Sequence, residues 1–505
     1  MREFNVTGIC LSDKHYMVNI ENKINEIMGL IHRGKYFTIT RARQFGKTTI
    51  LNLLRKTLPQ HGYTCILLSF EGVGDTMFSE EKEFCQGFLG QIAKAIGRTD
   101  KDFANRWEDK SITNFIKLSH HIDILCKDKK IVLMIDEVDK ASENRTFIHF
   151  LGMLRNGYLE QQAGDAYSFC SVILVGVYDI KNIKLKLINE ERDGAVGRTY
   201  NSPWNIAADF NVDLSFNPTE IATMLCEYEL EHKTGMDVNL VANELHKYTS
   251  GYPFLVSRIC KCIDEEIKTT WAEEGVREAV NTIVFEKNVL FDDIIKNLEN
   301  HQSIYDFLYS ILMLGDKKQF VLHDPVVEWC NMFGYIKSGQ ARYAVISNII
   351  FEIILSRYFT SKDDNNFKPV VCNGMIAEIT DGGKFNMELC LRRFAQYYSE
   401  IYTENDMDFY ERHGRLLFLS FLKPLINGHG FFHIESQFTD HRRMDIVVDY
   451  GRDQFIIELK LWRGDVYQTK AYDQLIGYMV AKGAAKGYMV TFDLRKEGNK
   501  KQEAR

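Results

Sequence analysis

The chain has 505 residues, of which 45% are hydrophobic and 26% are charged, and its formal net charge is −7. These values are typical of a globular protein of about three domains and exclude a chain that is disordered throughout. The acidic balance also excludes attraction of nucleic acid by the charge of the whole protein. Any such contact requires a local basic patch.

The 11 cysteines include no C-x-x-C pair. They indicate a reducing compartment and favour neither a disulfide framework nor a zinc site. The N-terminal stretch lacks the apolar core of a signal peptide, and no apolar run reaches the roughly 18 residues of a membrane helix. The sequence therefore predicts a cytoplasmic protein with no membrane partner.

A strand, a basic turn and a helix are predicted in that order over residues 36–58. The turn ends in Gly46, Lys47 and Thr48, and a helix that begins there presents unpaired N–H groups to a phosphate. Lys47 adds a charge for the β- and γ-phosphates, and the Thr48 hydroxyl is placed for Mg²⁺. Arg41 stands at the first glycine of the general G-x-x-x-x-G-K-[ST] pattern, so the match to that pattern is incomplete.

A buried strand that ends in two carboxylates is predicted at IVLMIDEVDK, which begins at Ile131. Asp136 fits the role of holding Mg²⁺, and Glu137 fits that of orienting the attacking water. The alternative is a strand that runs into a solvated acidic turn. The phosphate loop upstream at Lys47 favours the functional interpretation.

A further apolar strand at residues 171–177 is followed by Asp179, which is either a γ-phosphate sensor or a helix N-cap. Arg192 and Arg198 in the next loop are either fingers toward a nucleotide or solvated loop arginines, and the second interpretation is favoured. The alternation of strands and helices predicts a mostly parallel sheet with helices on both faces and ligands at the carboxyl ends of the strands.

The spacing of apolar residues becomes helical over residues 217–266. An Asn-Pro pair at residues 217–218 predicts a helix start with proline in its first turn. A Gly-Tyr-Pro triplet at residues 251–253 predicts a break between two helices. This region looks like the helical lid of an AAA-type core, and Arg258 resembles a second sensor arginine in position.

Four segments together resemble the AAA-ATPase-like family: RARQFGKTT from Arg41, LSFEG from Leu68, LMIDEVD from Leu133 and SPWNI from Ser202. Members of this family carry an R-x-R-x-F-G-K-[ST] phosphate loop, so Arg41 fits the family's pattern. The resemblance covers residues 5–265. It implies ATP binding, with Asp136 and Glu137 as the metal and water carboxylates. The loop residues that it assigns to ATP are Arg43, Phe45, Gly46, Lys47, Thr48 and Thr49.

Residues 269–365 are predicted to be mainly helical, and their order of two helices, a β-turn stretch and a last helix resembles a winged helix. The candidate recognition helix at residues 324–333 carries Asp324 and Glu328 and no Lys or Arg. Because phosphate contacts need cations, a packing or interdomain role is favoured over DNA reading. A polar, turn-rich stretch at residues 361–385 marks a domain boundary.

Two apolar-rich strands near the C-terminus, MDIVVDY and QFIIELKLW, are joined by a tight glycine turn and predict a hairpin. They follow a predicted amphipathic helix at residues 410–426 and a strand at residues 431–438. Glu458 and Lys460 share one face of the second strand, and Asp445 on the first strand meets them in a suitable register.

Two carboxylates and a lysine at one place are what metal-assisted phosphodiester cleavage requires, and oxygen ligands suit Mg²⁺ or Mn²⁺. The alternative is an ion pair between strands on a solvated sheet face. The next helix, AYDQLIGYMVA, places Gln474 and Tyr478 on the same side.

This order of elements resembles the PD-(D/E)xK nuclease superfamily, in particular the small nuclease-like domain found C-terminal to AAA-ATPase-like domains. The resemblance covers residues 390–495. It implies that Asp445 and Glu458 bind the metal. The catalytic core that it implies consists of Asp445, Glu458, Lys460 and Gln474, with Glu411 as the first-helix acid and Arg443 as a fitting neighbour.

The sequence therefore predicts an α/β protein with four regions. They are a P-loop AAA-ATPase-like core at residues 1–205, a helical lid at 206–268, a helical, winged-helix-like region at 269–365 and a PD-(D/E)xK nuclease-like α/β domain at 386–505.

The predicted function is binding and hydrolysis of ATP with Mg²⁺, coupled to a Mg²⁺- or Mn²⁺-dependent nuclease that acts on nucleic acid, DNA more than RNA. The alternative is a nucleotide-dependent switch or scaffold whose C-terminal domain binds nucleic acid or protein without cleaving it. The acidic net charge favours this alternative somewhat. An AAA-type core also implies a homo-oligomer, and the sequence leaves a monomer or dimer open.

Overall fold

The computed structural model forms two compact units, Met1–Phe216 and Asn217–Arg505. The residues that it describes are 2–142, 144–177, 204, 206–363, 373–380, 384–401, 411–426, 429–434, 446–451, 453–462, 465–482 and 486–493. In this described part, no helix combines the length and the apolar character needed to cross a membrane.

The first unit is built on a four-stranded parallel sheet in the order β1-β4-β3-β2. Its strands are β1 (Phe37–Thr40), β2 (Thr64–Ser69), β3 (Ile131–Asp136) and β4 (Ser171–Gly176). At the carboxyl edge, Thr40 pairs with Gly176 and Ser69 pairs with Asp136. This register brings the loop after β1 and the carboxylates after β3 to the same edge, as the alternating pattern predicted.

Helices cover both faces of this sheet. They are α1 (Glu21–His32), α2 (Lys47–Thr57), α3 (Thr76–Ser79), α4 (Glu81–Ile96), α5 (Lys101–Trp107), α6 (Phe115–Cys126) and α7 (Arg145–Ala163). Successive residues of β3 point to opposite faces. Leu133 and Ile135 therefore pack in one core with residues of α3 to α7, whereas Val132 and Met134 pack in a second core with residues of α1 and α2.

The second unit begins with helices, as predicted. They are α8 (Pro218–His232), α9 (Val238–Thr249), α10 (Pro253–Lys261) and α11 (Glu273–Ile283). Asn217 caps α8: its side chain accepts from the backbone N–H of Glu220, and the Glu220 side chain accepts from that of Asn217. This reciprocal pair and Pro218 in the first turn fix the helix start.

Three helices, a hairpin and a further helix follow; the last two of the three helices, the hairpin and the further helix have the order that the sequence predicted. They are α12 (Val289–Asn300), α13 (Gln302–Leu312), α14 (Pro325–Met332), β5 (Ile336–Ser338), β6 (Ala344–Ile346) and α15 (Ile349–Asp363). Asp324 caps α14, because its side chain accepts from the backbone N–H groups of Val326 and Val327.

The C-terminal part of the second unit contains another four-stranded sheet, in the order β10-β9-β8-β7. Its elements are α16 (Asn373–Ile379), α17 (Met387–Ile401), α18 (Glu411–Ile426), β7 (Gly430–His433), β8 (Ile446–Tyr450), β9 (Asp453–Leu461), α19 (Asp465–Lys482) and β10 (Gly487–Phe492). β7, β8 and β9 are antiparallel, and β10 is parallel to β9. The predicted hairpin is present. Of the strand predicted at 431–438, the structure shows β7, which ends at His433, and residues 435–445 lie outside the described part.

A buried carboxylate lies on β8, where Asp449 is only 2% exposed. Gln454, opposite it on β9, donates from Nε2 to Asp449 Oδ1 at 2.8 Å. Nδ1 of His433 on β7 is 3.8 Å from the other oxygen, Oδ2. Burial of an ionised carboxylate is unfavourable, so this position makes folding sensitive to protonation.

Burial raises the pKa of Asp449 from 3.8 to about 6. The hydrogen bond from Gln454 and the positive charges of Arg277 and Lys247 act against this increase, while Glu244 adds to it. Arg277 belongs to α11, and Lys247 and Glu244 belong to α9, so the electrostatics of β8 depend on these two helices.

We expect Asp449→Asn to increase the free energy of unfolding at pH 8 and to change it little near pH 4. The stability linked to the proton on Asp449 is complete below the unfolded-state pKa of 3.8 and is lost as the pH rises through about 6. This difference corresponds to about 3 kcal/mol at most. Urea unfolding at pH 4, 6 and 8 measures it. Asp453→Asn, at an exposed site on the same hairpin, is the control, and parallel pH curves for the wild type and Asp449→Asn would contradict the expectation.

Candidate functional site

The loop between β1 and α2 has the geometry of an anion site. α2 begins at Lys47, directly after Gly46, whose φ is +77°. Because this left-handed conformation suits glycine, Gly46 lets the chain turn sharply into the helix. The first turn of α2 therefore presents its backbone N–H groups to the loop, where the helix dipole also favours a negative charge.

Lys47 is a buried cation inside this loop. Its side chain is 7% exposed, and its Nζ donates to the carbonyl oxygens of Arg41 and Ala42, each at 2.9 Å. Burial lowers the pKa of the Lys47 ammonium, and nearby carboxylates, Glu137 foremost, act in the opposite direction. Buried charges are stabilised when an opposite charge compensates them. The loop thus has both the charge and the donors that a phosphate group requires.

Thr48 and Asp136, the two predicted Mg²⁺ ligands, are in contact. Thr48 Oγ1 donates to Asp136 Oδ2 at 2.9 Å, and the backbone N–H of Glu137 donates to Oδ1 at 3.0 Å. Burial raises the pKa of Asp136, while these hydrogen bonds and the charge of Lys47 lower it. Hydroxyl and carboxylate oxygens are ligands that Mg²⁺ prefers, so this pair fits the ion that accompanies a nucleoside triphosphate.

Glu137 follows β3 in a left-handed backbone conformation, with a φ of +55°. A residue other than glycine in this conformation is strained by roughly 1–3 kcal/mol, and such strain is concentrated at functional sites. Burial raises the pKa of the Glu137 carboxyl, and the charge of Asp136 raises it further. Glu137 is thus a carboxylate beside the Thr48–Asp136 pair, with an increased proton affinity.

Asp139 is a third carboxylate at this edge that the sequence analysis did not single out. Its Oδ2 accepts from the backbone N–H of Val177 at 2.6 Å. The last residue of β4, Gly176, permits this approach, since a Cβ there would lie 2.5 Å from Asp139 Oδ1. Asp139 therefore joins the turn after β3 to the end of β4. In the sequence, the indication of a role for Asp139 was its position two residues after Glu137. Acidic residues at this spacing are also typical of a solvated acidic turn.

Glu458 and Lys460 form the second predicted centre and lie on the same face of β9. Lys460 Nζ is 2.7 Å from Glu458 Oε1, and the side chains are 14% and 0% exposed. The strand alternation places Ile456 on this face too, where Leu475 and Met479 of α19 pack against it. Glu458 is therefore not part of a solvated ion pair, which was the alternative interpretation.

Other residues predicted for this centre lie outside the described part: Asp445 and Arg443 entirely, and Glu411, Gln474 and Tyr478 by their side chains. Ile446, which directly follows Asp445 in the sequence, pairs with Ile457, which directly precedes Glu458. Within the described ranges, no group of three His, Cys, Asp or Glu side chains is arranged to hold a metal ion.

Comparison with known proteins identifies the larger part of the chain. The sequence model of the AAA-like domain family matches residues 9–322. The chain belongs to the AAA-like domain family. The matched residues include the phosphate loop, all of β1 to β4 and the helices α8 to α13, whereas the sheet with Glu458 lies outside them.

The chain is also similar to an uncharacterized WD repeat-containing protein of Synechocystis, with 20% identity over 268 residues. These residues are 52% of this chain and 21% of that protein, so the chain spans about a fifth of the length of this curated relative. Among solved structures, the Walker-type ATPase of Pyrococcus abyssi matches with 11% identity, 70% of this chain, 99% of that chain and a TM-score of 0.47.

The ORC2 protein of Aeropyrum pernix, solved in ADPNP and ADP complexes, matches with 12% identity, 71% of this chain, 97% of that chain and a TM-score of 0.37. At these TM-scores the structural likeness is too loose to carry an argument about function. The family assignment rests on the sequence match, and the site rests on its own geometry.

Arg41 of the AAA-like domain has a role beyond the phosphate loop. Its Nη1 donates to Thr40 O and its Nη2 to Val212 O, each at 2.9 Å, and its guanidinium lies 5.7 Å from the ring centroid of Phe210. Burial lowers the pKa of Arg41. Arg41, which stands where the general pattern has its first glycine, thus hydrogen-bonds the loop to a segment 171 residues further along the chain.

The remaining predicted nucleotide-binding residues of the AAA-like domain differ in their surroundings. Arg43 is exposed, and Phe45 is partly buried against the core around α1 and α2. Thr49 Oγ1 accepts from the backbone N–H of Cys10 at 3.2 Å, which brings the N-terminal segment next to the first turn of α2.

The two arginines considered as fingers, Arg192 and Arg198, lie outside the described residues. Asp179, considered as a γ-phosphate sensor, lies outside them too. Arg258 is described and forms ion pairs with Glu266, at 2.8 Å, and with Glu286. Partial burial acts to lower the pKa of Arg258, but the hydrogen bonds to Glu266 and Glu286 and the negative charges of these two residues raise it overall. Arg258 is thus held by two carboxylates of its own unit.

We expect Gly176→Ala to lower the free energy of unfolding by about 1–3 kcal/mol, because the added methyl group collides with the Asp139 carboxylate. In an Asp139→Ala background the same change is expected to lower it by less than about 1 kcal/mol, since the colliding atoms are gone. Urea unfolding of the four proteins measures this coupling. Gly152→Ala, where the added Cβ meets nothing within 4 Å, is the control, and an equal loss in both backgrounds would contradict the assigned contact.

Proposed function

We propose that the AAA-like domain binds and hydrolyses ATP with Mg²⁺. The observation that carries this proposal is the buried Lys47 ammonium, held by loop carbonyls beside the Thr48–Asp136 pair. A cation with its donors at a helix N-terminus binds phosphates, and the adjacent oxygens suit the accompanying metal ion.

Each residue of this site then has one role. Lys47 and the N–H groups of the first turn of α2 bind the β- and γ-phosphates. Thr48 and Asp136 would hold Mg²⁺. When bound, this ion would neutralise negative charge on the phosphates. Glu137, whose pKa is raised by burial, orients and deprotonates the attacking water. Arg43, Phe45 and Thr49 line the remainder of the nucleotide site, as the family resemblance implies.

We further propose that residues 386–505 form a PD-(D/E)xK nuclease-like domain. The order α18, β7, β8, β9, α19, β10, with three antiparallel strands and one parallel strand, supports it. The ion-paired Glu458 and Lys460 support the E-x-K centre. Asp445 and Glu458 would hold Mg²⁺ or Mn²⁺, an ion that would polarise the scissile phosphate when bound, while Lys460 would position the nucleophile and Gln474 would complete the centre.

The substrate of this centre is nucleic acid, DNA more than RNA, and the nucleotide state of the AAA-like domain gates its cleavage. A switch or scaffold is the second candidate function. One observation favours it: Glu458 is completely buried, so a metal ion reaches it only after side chains around it move. In that case the C-terminal domain binds nucleic acid or protein and does not cut. A homo-oligomer fits either function.

The decisive experiment incubates the purified 505-residue chain with single- and double-stranded DNA and RNA, in Mg²⁺ or Mn²⁺, with and without ATP. Phosphate release and strand cleavage are measured in the same tubes, and EDTA provides the blank. We expect both activities, with cleavage that changes when ATP is added. Phosphate release without cleavage of any substrate would favour the switch, and absence of both would refute the proposal.

A further inference from the structure

One edge of the C-terminal sheet is formed by β10. The strand order ends there, so in the part of the chain that the structure describes no further strand pairs with its outer side. Phe492 O accepts from the backbone N–H of Trp462, which follows β9, and the backbone groups of Phe492 therefore face β9. Because this direction alternates along a strand, the N–H and C=O groups of three residues face outward: Gly487, Met489 and Thr491.

β10 lacks the features by which natural sheet edges avoid pairing. Its sequence, GYMVTF, contains no proline and no charged residue, and its aromatic and β-branched residues favour a strand. The nearest charges along the chain are Lys486 and Asp493, one residue beyond each end of the strand. Lys486 forms an ion pair with Glu388 of α17 at 3.5 Å. The strand itself therefore presents an uncharged edge.

α19, which connects β9 to β10, carries exposed apolar side chains. Tyr472, Ile476 and Val480, spaced four residues apart, are 45%, 57% and 78% exposed, and we call them the α19 stripe. Each of them directly follows a residue on the side of the helix that faces the sheet; these residues are Ala471, Leu475 and Met479. Exposed apolar patches of this kind mark interaction sites.

The handedness of the chain decides on which side of α19 the stripe lies. β9, α19 and β10 form a strand–helix–strand unit with parallel, adjacent strands, and the crossover in such units is right-handed in about 98% of cases. In a right-handed helix each residue is rotated by about 100° from the one before it. Side chains that directly follow the sheet-facing ones therefore point past β10 and away from β8. The α19 stripe and the edge of β10 thus form one continuous apolar surface.

We propose that this surface binds a second copy of the chain, with a twofold axis that pairs β10 with β10. In an antiparallel pair related by such an axis one residue lies opposite itself, and Met489 is the middle one of the three outward-facing residues. Met489 of one copy then lies opposite Met489 of the other, and Gly487 lies opposite Thr491. The two four-stranded sheets become one continuous sheet, and its ladder uses the outward-facing backbone groups of β10.

The same axis brings the two copies of α19 together. Leu475 and Met479 pack on Ile456 of β9, and both lie beside Gly487 of β10, so α19 covers these two strands. Its counterpart in the second copy lies two strand spacings away, or about 10 Å, because adjacent strands are about 4.8 Å apart. Helices pack at about this distance, so the two α19 stripes meet.

A second copy fits this surface better than an added peptide strand does. A peptide that pairs with the edge covers β10 and leaves the α19 stripe exposed to water. A stable interface takes about 20 residues or more from each partner, and β10 has only 6. The occupant must therefore present a strand edge and an apolar helix side by side, which is what β10 and α19 of another copy present.

The test is sedimentation velocity of the 505-residue chain over a wide range of concentrations. EDTA is present and nucleotide is omitted, because the proposal rests on neither proposed activity. We expect a dimer that persists at high salt, since burial of uncharged surface is not screened. Ile476→Lys is expected to weaken the dimer at least about 100-fold, because it places two charges in an apolar contact. Leu230→Lys, on a residue of α8 that is 78% exposed, is the control and should dimerise like the wild type.

Two further measurements test the strand pairing itself. Thr491→Pro removes an outward-facing N–H and leaves the bonds to β9 in place, so we expect it to weaken the dimer as strongly. Circular dichroism checks that each variant is folded. In the wild type, hydrogen exchange at the amides of Met489 and Thr491 should be slower at concentrations where the dimer forms, which requires no variant.

Three results would overturn the proposal. The first is a wild-type chain that is monomeric at every concentration, and protected β10 amides in that monomer would mean that another segment occupies the edge. The second is a dimer that persists unweakened in Ile476→Lys or in folded Thr491→Pro, which would assign dimerisation to another surface. The third is exchange of the Met489 and Thr491 amides that does not depend on concentration. If Thr491→Pro does not fold, Ile476→Lys and hydrogen exchange still decide.

Discussion

Lys47→Ala is expected to reduce ATP hydrolysis by at least about 100-fold and to abolish measurable nucleotide binding, because it removes the preorganised cation from the phosphate loop. In the structure, Lys47 Nζ donates to two carbonyl oxygens of the loop, at 2.9 Å each, and its ammonium is buried. Phosphate release with Mg²⁺ and binding of a fluorescent ATP analogue measure the two effects.

The same substitution is expected to leave the nucleotide-free protein as stable as the wild type, or more stable. A buried ammonium whose pKa is lowered by burial opposes folding until an anion compensates it. Lys56→Ala, an exposed lysine on the same helix, is the matched control and should retain binding and hydrolysis. Normal nucleotide affinity in Lys47→Ala would refute the assigned site, and a large loss of stability would show that Lys47 serves folding.

The arrangement of the proposed phosphate site was predictable because its parts are local in the sequence. An apolar run before a glycine turn and a second apolar run before two carboxylates each predict a buried strand. A parallel sheet then has to bring their carboxyl ends to one edge. The contact between Thr48 and Asp136, 88 residues apart, follows from this rule without any knowledge of the register.

Two features of the same site were not predictable. Asp139 reaches Val177 because β3 and β4 end within one residue of each other in the sheet, and because Gly176 leaves room for the Asp139 carboxylate. Arg41 finds its acceptor at Val212, in a segment whose path the pattern of hydrophobic residues does not fix. Both contacts depend on the register and on the course of a loop, which are tertiary properties.

In the C-terminal sheet, alternation predicted that Glu458 and Lys460 share a face, and the structure confirms it. The burial of Glu458 was not predictable. Ile456, Ile457 and Leu459 are apolar on both faces of β9, so the sequence does not show which face is covered. The face of β9 that carries Ile456 and Glu458 is covered by α19, whose Leu475 and Met479 pack against Ile456.

Lys460→Ala is expected to abolish nucleic-acid cleavage, but it also removes the 2.7 Å ion pair of a completely buried Glu458. Breaking a buried pair from one side lowers the free energy of unfolding by roughly 3–5 kcal/mol. A loss of cleavage in this variant would therefore not separate catalysis from folding. A second variant is needed in which the charges disappear together.

We expect Glu458→Gln/Lys460→Met to recover most of the stability lost in Lys460→Ala, because replacing both partners of a buried pair with neutral groups of similar shape is often close to neutral. Its cleavage of the best substrate in Mn²⁺ is still expected to fall by at least about 100-fold, since the metal ligand and the cation are both missing. Urea unfolding and cleavage rates are compared for the wild type, both variants and Lys470→Ala, an exposed lysine of α19, which should match the wild type. A folded double variant that cleaves at the wild-type rate would show that this ion pair is structural and that catalysis takes place elsewhere.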